Sequence, residues 1–322
     1  MEQTSKSMTT FRQHTLKSTI HCSGVGLHTG QKLTMSLHAA DVDSGIVFRR
    51  TDVHGGCGEI AARFDNVGDT QLCTTLVNQE GVTVGTVEHL MAALAGCEID
   101  NAVVELNGPE VPVMDGSSEP FVFLIDCAGI VEQAAPRRAV EILRRVGVKN
   151  GSGEISLKPS SGFSINLGID FPHPSIGRQD IILDMTSAAF KSQICRARTF
   201  GFLDEVETLR TAGFGRGGSL DNTVVVSTDG VMNENGLRYV DEFVRHKALD
   251  CIGDLYLLGG PIQGHVFGRR TGHSLNNLLL RTLAADQSAW RLVAMDELGA
   301  QTVKPEVAGQ PDWQELPVAA LA

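Results

Sequence analysis

The chain has 322 residues, 42% hydrophobic and 20% charged, a balance that suits a soluble globular protein of two domains or one large one. Its net charge of -11 argues against binding a nucleic-acid backbone, which takes clustered Lys and Arg, but leaves room for a local basic pocket around a small anion. The seven cysteines (Cys22, Cys57, Cys73, Cys97, Cys127, Cys195, Cys251) form no Cys-x-x-Cys pair, which fits a reducing cytosol, and no run of about 18 apolar residues offers a transmembrane segment.

Residues 1–10 are polar, lack the apolar run of a signal peptide, and read as a disordered leader. From 11 to about 131, short alternating segments punctuated by glycine predict strands, among them 32–38, 46–50 and 101–106. Two helices interrupt them. Thr86 is placed to cap one that runs to Ala95 and is ended by Gly96. Ser118 is placed to cap another, with Pro120 in its first turn and Gly129 past its end. Pro136 marks a boundary, which gives 11–134 and 135–304 as the two domains. Strands return at 139–148, 154–159, 164–171 and 179–184, followed by a helix over 203–212. The strongest helical pattern is 241–258. Phe243, Val244, Leu249, Ile252 and Leu255 form its buried stripe, and Gly259-Gly260-Pro261 stops it. A strand at 263–269 and a helix at 275–285 follow, and the tail 305–322 reads as loose. Strands mixed with helix pairs in both halves define an α+β architecture.

His246, Asp250 and Asp254 recur every four residues on the long helix and so share one face. That spacing lets His246 and Asp250 grip one metal ion, with His89 as a third ligand and one position left for water. Three protein ligands and a water describe a catalytic zinc site, not a structural one. Glu88, beside His89, is placed to take a proton from that water. Each feature also has a plainer reading. The His246/Asp250 pair equally describes an ion pair on a solvated helix edge, and Lys247 a surface lysine, although Lys247 also stands where a positive charge would meet an oxyanion. In Arg270-Thr271-Gly272-His273, Gly272 allows a sharp turn and His273 projects from a loop, as a catalytic group or as a mere neighbour of a helix cap. Arg198-Thr199-Phe200-Gly201-Phe202 is a compact loop that serves a site or simple packing. The glycines between 213 and 218 lack the Lys-Ser/Thr ending of a phosphate loop, and neither His-Glu-x-x-His nor Gly-x-Ser-x-Gly occurs.

The order of these segments carries a family likeness. Thr15-Leu16-Lys17, Gly24-Val25-Gly26-Leu27-His28-Thr29-Gly30, 69–73, 86–96, Val113-Met114-Asp115-Gly116-Ser117, 198–202, 241–254 and 272–277 follow one another across residues 11 to 300. Together they resemble the UDP-3-O-acyl-N-acetylglucosamine deacetylases, bacterial enzymes that commit a nucleotide sugar to lipid A synthesis. The resemblance implies two similar domains, each a β-sheet layered with two helices. Each domain would carry a small insert, near 51–71 and 199–223, and the active site would lie between them. It further implies a cytoplasmic monomer that hydrolyses the acetamide of an acylated UDP-amino sugar. Zn2+, or Fe2+ in the cell, would be held by His89, His246 and Asp250. Glu88 falls on the general base, His273 on the second catalytic group and Asp254 on the carboxylate that orients it. Lys247 and Thr199 fall on groups around the scissile carbonyl. Leu72 and Cys73 match the segment lining the site near the metal, and Phe171 and Phe202 match positions flanking nucleotide and sugar. Arg270, beside Gly272, stands where the family often has Lys and offers a phosphate a bidentate fork. An acyl chain needs an apolar groove, which Leu203, Val206, Leu209 and Phe214 of the second insert offer. Two alternatives stay open on the sequence: a non-catalytic metal- or lipid-binding relative, against which the retained Glu88 argues, and a zinc amidase for another N-acetyl sugar.

Overall fold

The computed structural model describes residues 11–298, so the expected leader (1–10) and tail (305–322) lie outside the described residues. In the first half, a five-stranded sheet takes the order Ile20–Val25, Lys32–Ala39, Ala102–Leu106, Ile46–Arg50, Glu59–Ala61. Lys32–Ala39 shows the pattern that builds it: Leu33, Met35 and Leu37 alternate inward while Lys32 and Thr34 face solvent. In the second half, a seven-stranded sheet is organised around Ile262–Arg269. That strand runs parallel to Arg138–Ile142 and Phe163–Asp170 and antiparallel to Gly153–Lys158. The expected strand 139–148 is two strands. Ile142 pairs with Trp290 whereas Val146 pairs with Leu157, so the chain changes partners across exposed Leu143 and the two arginines that follow it. Alternation alone carries no information about partners.

The helices include α1 (Glu88–Gly96), α2 (Glu119–Ala128), α3 (Ser187–Ala189, continued by a π-helical turn, Phe190–Ile194), α4 (Val206–Thr211), α5 (Glu242–Tyr256) and α6 (His273–Ala285). Sequence reading has no counterpart of α3. Its signal is Thr186, whose Oγ1 accepts from the Ala189 N–H at 3.1 Å. The expected helix over 203–212 opens with a 3-10 turn, Leu203–Glu205, before α4. Neither expected N-cap acts as one. Thr86 sits at φ 54 and donates its hydroxyl to Glu110 Oε1, and Ser118 donates to the carbonyl of His89. Both hydroxyls were taken by tertiary partners, which outcompeted the local helix end.

The α1–α5 contact joins the two halves. The helices touch backbone to backbone, since a Cβ at Gly253 would lie 2.0 Å from the Glu88 carbonyl oxygen. The expected stripe of α5 is buried, and so are His246, Asp250 and Asp254 on its other side, so that polar line is no solvated edge. α6 packs on α5 and on the hairpin Val146–Asn150/Gly153–Lys158. Two three-stranded sheets stand near the expected inserts: Val67–Asp69, Thr75–Val77 and Thr83–Val84, then Phe200–Phe202, Val224–Ser227 and Gly230–Val231. They extend past the expected ends at 71 and 223. No helix among the described residues is long and apolar enough to cross a membrane.

Candidate active site

The close crossing of α1 and α5 brings three side chains together. The ligand atoms of His89, His246 and Asp250 all lie within 4.8 Å of one another, and all three residues are buried. Asp250 Oδ1 is 3.6 Å from His89 Nε2 and 3.4 Å from His246 Nε2, longer than good hydrogen bonds. It has no hydrogen-bond partner among the described residues, while Oδ2 accepts from Lys247 Nζ at 2.8 Å. A buried carboxylate oxygen left without a donor is costly unless a cation meets it. The His246 ring is oriented from behind: Nδ1 lies 3.1 Å from the Ala197 carbonyl and donates to it, which leaves Nε2 with its lone pair toward Asp250 and His89.

Burial keeps both imidazoles neutral, as metal binding requires. Burial, then the neighbouring His246, push His89 down to about 3, and burial lowers His246. Burial would raise the Asp250 carboxyl, but His246 in its acid form, and the Lys247 ammonium throughout, outweigh burial and hold it below the usual range. Two histidines and one aspartate in a buried pocket fit a borderline divalent metal with room for a further ligand.

Glu88 opens α1 and is 2% exposed. Its Oε2 accepts from the Thr74 N–H at 3.0 Å, and its Oε1 lies 3.8 Å from His273 Nε2. Burial raises its carboxyl to about 7, with His273 opposing the shift and Asp254 and Asp250 adding to it. A carboxylate that titrates near neutrality is suited to general-base work. Across the site, His273 Nδ1 is 2.8 Å from Asp254 Oδ2, which also accepts from Asn276 Nδ2 at 2.8 Å. Burial would lower the imidazole's pKa. Asp254 and Glu88 outweigh it and raise it to about 9, so His273 is a buried cation at neutral pH.

Glu88, His89, His246, Lys247, Asp250, Asp254 and His273 thus converge at one place. Two local expectations are corrected. His273 does not project from a loop: it is the buried first residue of α6. Gly272 makes no sharp turn, since its φ of -167 is extended backbone, and the left-handed residue is Arg270 at φ 49. Arg270 itself pairs with Asp170 near the surface. Thr199, Leu72, Phe202, Leu203, Val206, Leu209 and Phe214 line one apolar cavity of about 370 Å³, together with Leu27 and His28. Phe171 is not in that lining but packs on Phe200 and Phe202, with ring centroids 5.6 and 5.9 Å away. Phe200 lines the cavity and reaches the His246 ring at 6.2 Å, so the cavity adjoins the histidine cluster. Cys73 is buried beside Thr74 and does not line the cavity. Sequence reasoning missed Thr74, Asn276 and the Ala197 carbonyl. Asn276 stands one helical turn after His273, which is a weak signal, and the other two carry none.

A buried His-His-Asp cluster flanked by a buried carboxylate and a histidine whose neighbours favour its charged form, on facing helices of an α+β scaffold, is the arrangement a metal-dependent hydrolase needs. The chain belongs to the UDP-3-O-acyl N-acetylglycosamine deacetylase family, whose model matches residues 13–285. It is 54% identical over 288 residues to the UDP-3-O-acyl-N-acetylglucosamine deacetylase of Teredinibacter turnerae, covering 89% of this chain and 94% of that one. The enzymes of the same name from Acidithiobacillus ferrooxidans and Marinobacter nauticus are each 51% identical, over 284 and 288 residues. Those alignments cover 88% and 89% of this chain and 93% and 94% of theirs. The family is one of metalloenzymes.

Proposed function

We propose that the protein hydrolyses the acetamide of UDP-3-O-acyl-N-acetylglucosamine, releasing acetate and UDP-3-O-acyl-glucosamine, the committed step of lipid A biosynthesis. The observation that carries this reading is the convergence of Glu88 and His273 on the buried His89/His246/Asp250 cluster, in a chain of this family. Zn2+ is assigned to the cluster, with Fe2+ as the alternative occupant in the cell. When bound, such a metal polarises the amide oxygen and supplies a water nucleophile active near neutral pH.

The protein's own groups do the rest. Glu88 accepts the proton of the attacking water. Lys247, whose charge Asp250 secures against the effect of burial, and the Thr199 hydroxyl counter the negative charge that builds on the carbonyl oxygen. An amine cannot leave as an anion, so His273 protonates the departing nitrogen through Nε2 while Asp254 holds its other face. The cavity lined by Leu203, Val206, Leu209 and Phe214 takes the acyl chain, with Leu72 and Cys73 on the segment leading to the metal. Phe171, Phe202, Gly272 and Arg270 are assigned to the nucleotide sugar. The domains are assigned to 11–134 and 135–304, with the site where α1 of the first meets α5 and α6 of the second. A monomer in the cytosol is assigned, the latter in keeping with seven free cysteines.

Acetate release from the acylated and the bare nucleotide sugar tests the reading. Each pair of methylenes withheld from the cavity should lower kcat/KM about 10-fold. Equal turnover of both sugars would make the protein a general N-acetyl-sugar amidase instead.

A further inference from the structure

Thr74 commits every polar group it has to the catalytic side chains or the backbone beside them. Its N–H donates to Glu88 Oε2 at 3.0 Å, and its carbonyl accepts from the Val87 N–H at 3.3 Å, just ahead of α1. Its hydroxyl donates to Asp254 Oδ1 at 2.6 Å, and the same oxygen lies 3.2 Å from His273 Nδ1. The residue is 2% exposed. Two positions upstream, Leu72 adopts φ 64, a left-handed conformation that is strained for a non-glycine residue and is kept only when its surroundings demand it.

We infer that Thr74 is the positioning residue that locks the proton-accepting and proton-donating groups to each other. Its backbone N–H fixes Glu88, its hydroxyl fixes Asp254, and Asp254 fixes His273. The inference rests on the proposed deacetylase reading only for what the locked groups then do.

Proton counting supports the assignment. A hydroxyl has one proton, and at 2.6 Å it goes to Asp254 Oδ1. Toward His273 the Thr74 oxygen can therefore only accept. Nδ1 of His273 must carry a proton, directed mainly to Asp254 Oδ2 at 2.8 Å and secondarily to Thr74 Oγ1 at 3.2 Å. Nε2 is then the nitrogen that faces Glu88. Asp254 receives three donors: Thr74 on Oδ1, and His273 and Asn276 on Oδ2. It cannot rotate without breaking them. His273 and Asn276 both belong to α6, whereas Thr74 comes from the first half of the chain, as Glu88 does. Thr74 is thus the tie between base and acid across the contact of the two halves.

Thr74→Val keeps the shape and removes the hydroxyl; Thr74→Ser keeps the hydroxyl and removes the methyl. In the metal-loaded enzyme, Thr74→Val should retain its metal and its KM while kcat falls about 10- to 100-fold, the rate equivalent of one hydrogen bond to a buried charge. Thr74→Ser should restore most of that loss. Added to Asp254→Asn, Thr74→Val should cost little more, because the contact is already altered. A second readout needs neither substrate nor metal. In protein labelled with 15N-histidine, the Nδ1 proton of His273, identified by its absence in His273→Gln, should stay protected from solvent exchange in wild type and Thr74→Ser. It should be lost to exchange in Thr74→Val. A wild type that releases no acetate would defeat the proposed function alone, and the exchange readout would then decide the role of Thr74. Equal protection in Thr74→Val, equal kcat losses in Val and Ser, or full additivity with Asp254→Asn overturns the inference.

Discussion

Replacing Asp254 with Asn keeps the shape of the side chain and removes the charge that makes His273 a cation. In the wild type His273 is raised from an ordinary 6.5 to about 9. At 1.36 kcal/mol per pKa unit, that is ~3 kcal/mol of preference for the protonated form. Burial works against this preference, Asp254 is the largest contribution to it, and Glu88 adds less. Without Asp254, burial is opposed only by the smaller contributions of Glu88 and Asp250, so the pKa should fall by about 2 units or more. In the proposed mechanism His273 must be charged to give up a proton and Glu88 ionised to take one, so kcat/KM against pH should be bell-shaped. Its basic limb should move about 2 units lower in Asp254→Asn. The acidic limb should stay nearly fixed. Asp254 raises the Glu88 carboxyl and the His273 charge lowers it, so losing both shifts Glu88 in opposite directions. Stability carries the same signature. The folded pKa of His273 lies above its unfolded value, so its contribution is complete below pH 6.5 and is lost as pH rises through about 9. Denaturation at pH 6 and pH 10 should show a drop of up to ~3 kcal/mol in wild type that is largely missing in the variant. A basic limb that does not move would refute the Asp254–His273 coupling as the source of the catalytic proton.

Three further outcomes are expected. Glu88→Gln should keep its metal and its substrate affinity while turnover falls by ~10²–10⁴; undiminished turnover in metal-loaded protein would remove Glu88 as the base. His246→Ala and Asp250→Ala should each lose metal together with activity, and full metal content in purified variants would take these residues out of the coordination sphere. Leu203→Trp or Val206→Trp should fill the cavity and slow a long-acyl substrate far more than a short-acyl analogue, so equal losses on both would place the acyl groove elsewhere.

The sequence carried those parts of the site whose spacing is itself geometric. The four-residue rhythm of His246, Asp250 and Asp254 survives in α5 because a helix converts that spacing directly into a shared face. Glu88-His89 opens α1 as its position before an apolar run implied. What stayed hidden depends on tertiary partners. Thr86 and Ser118 look like caps in isolation, yet Glu110 and the His89 carbonyl claim their hydroxyls. Thr74 meets Asp254 across 180 residues of chain, and no local pattern announces such a contact. Gly253 lies inside α5 with no sequence signal of its own. In the structure it is the point where α5 lies so close to the Glu88 backbone that no Cβ would fit, which lets the two helices carrying the candidate ligands come together.

Metal stoichiometry joined to acetate release tests the central claim most directly. The purified chain should hold one zinc, lose acetate release when a chelator strips it, and recover when one equivalent of zinc is returned, with no recovery in His246→Ala. Release of acetate that continues unchanged in protein stripped of metal would contradict the account at its root.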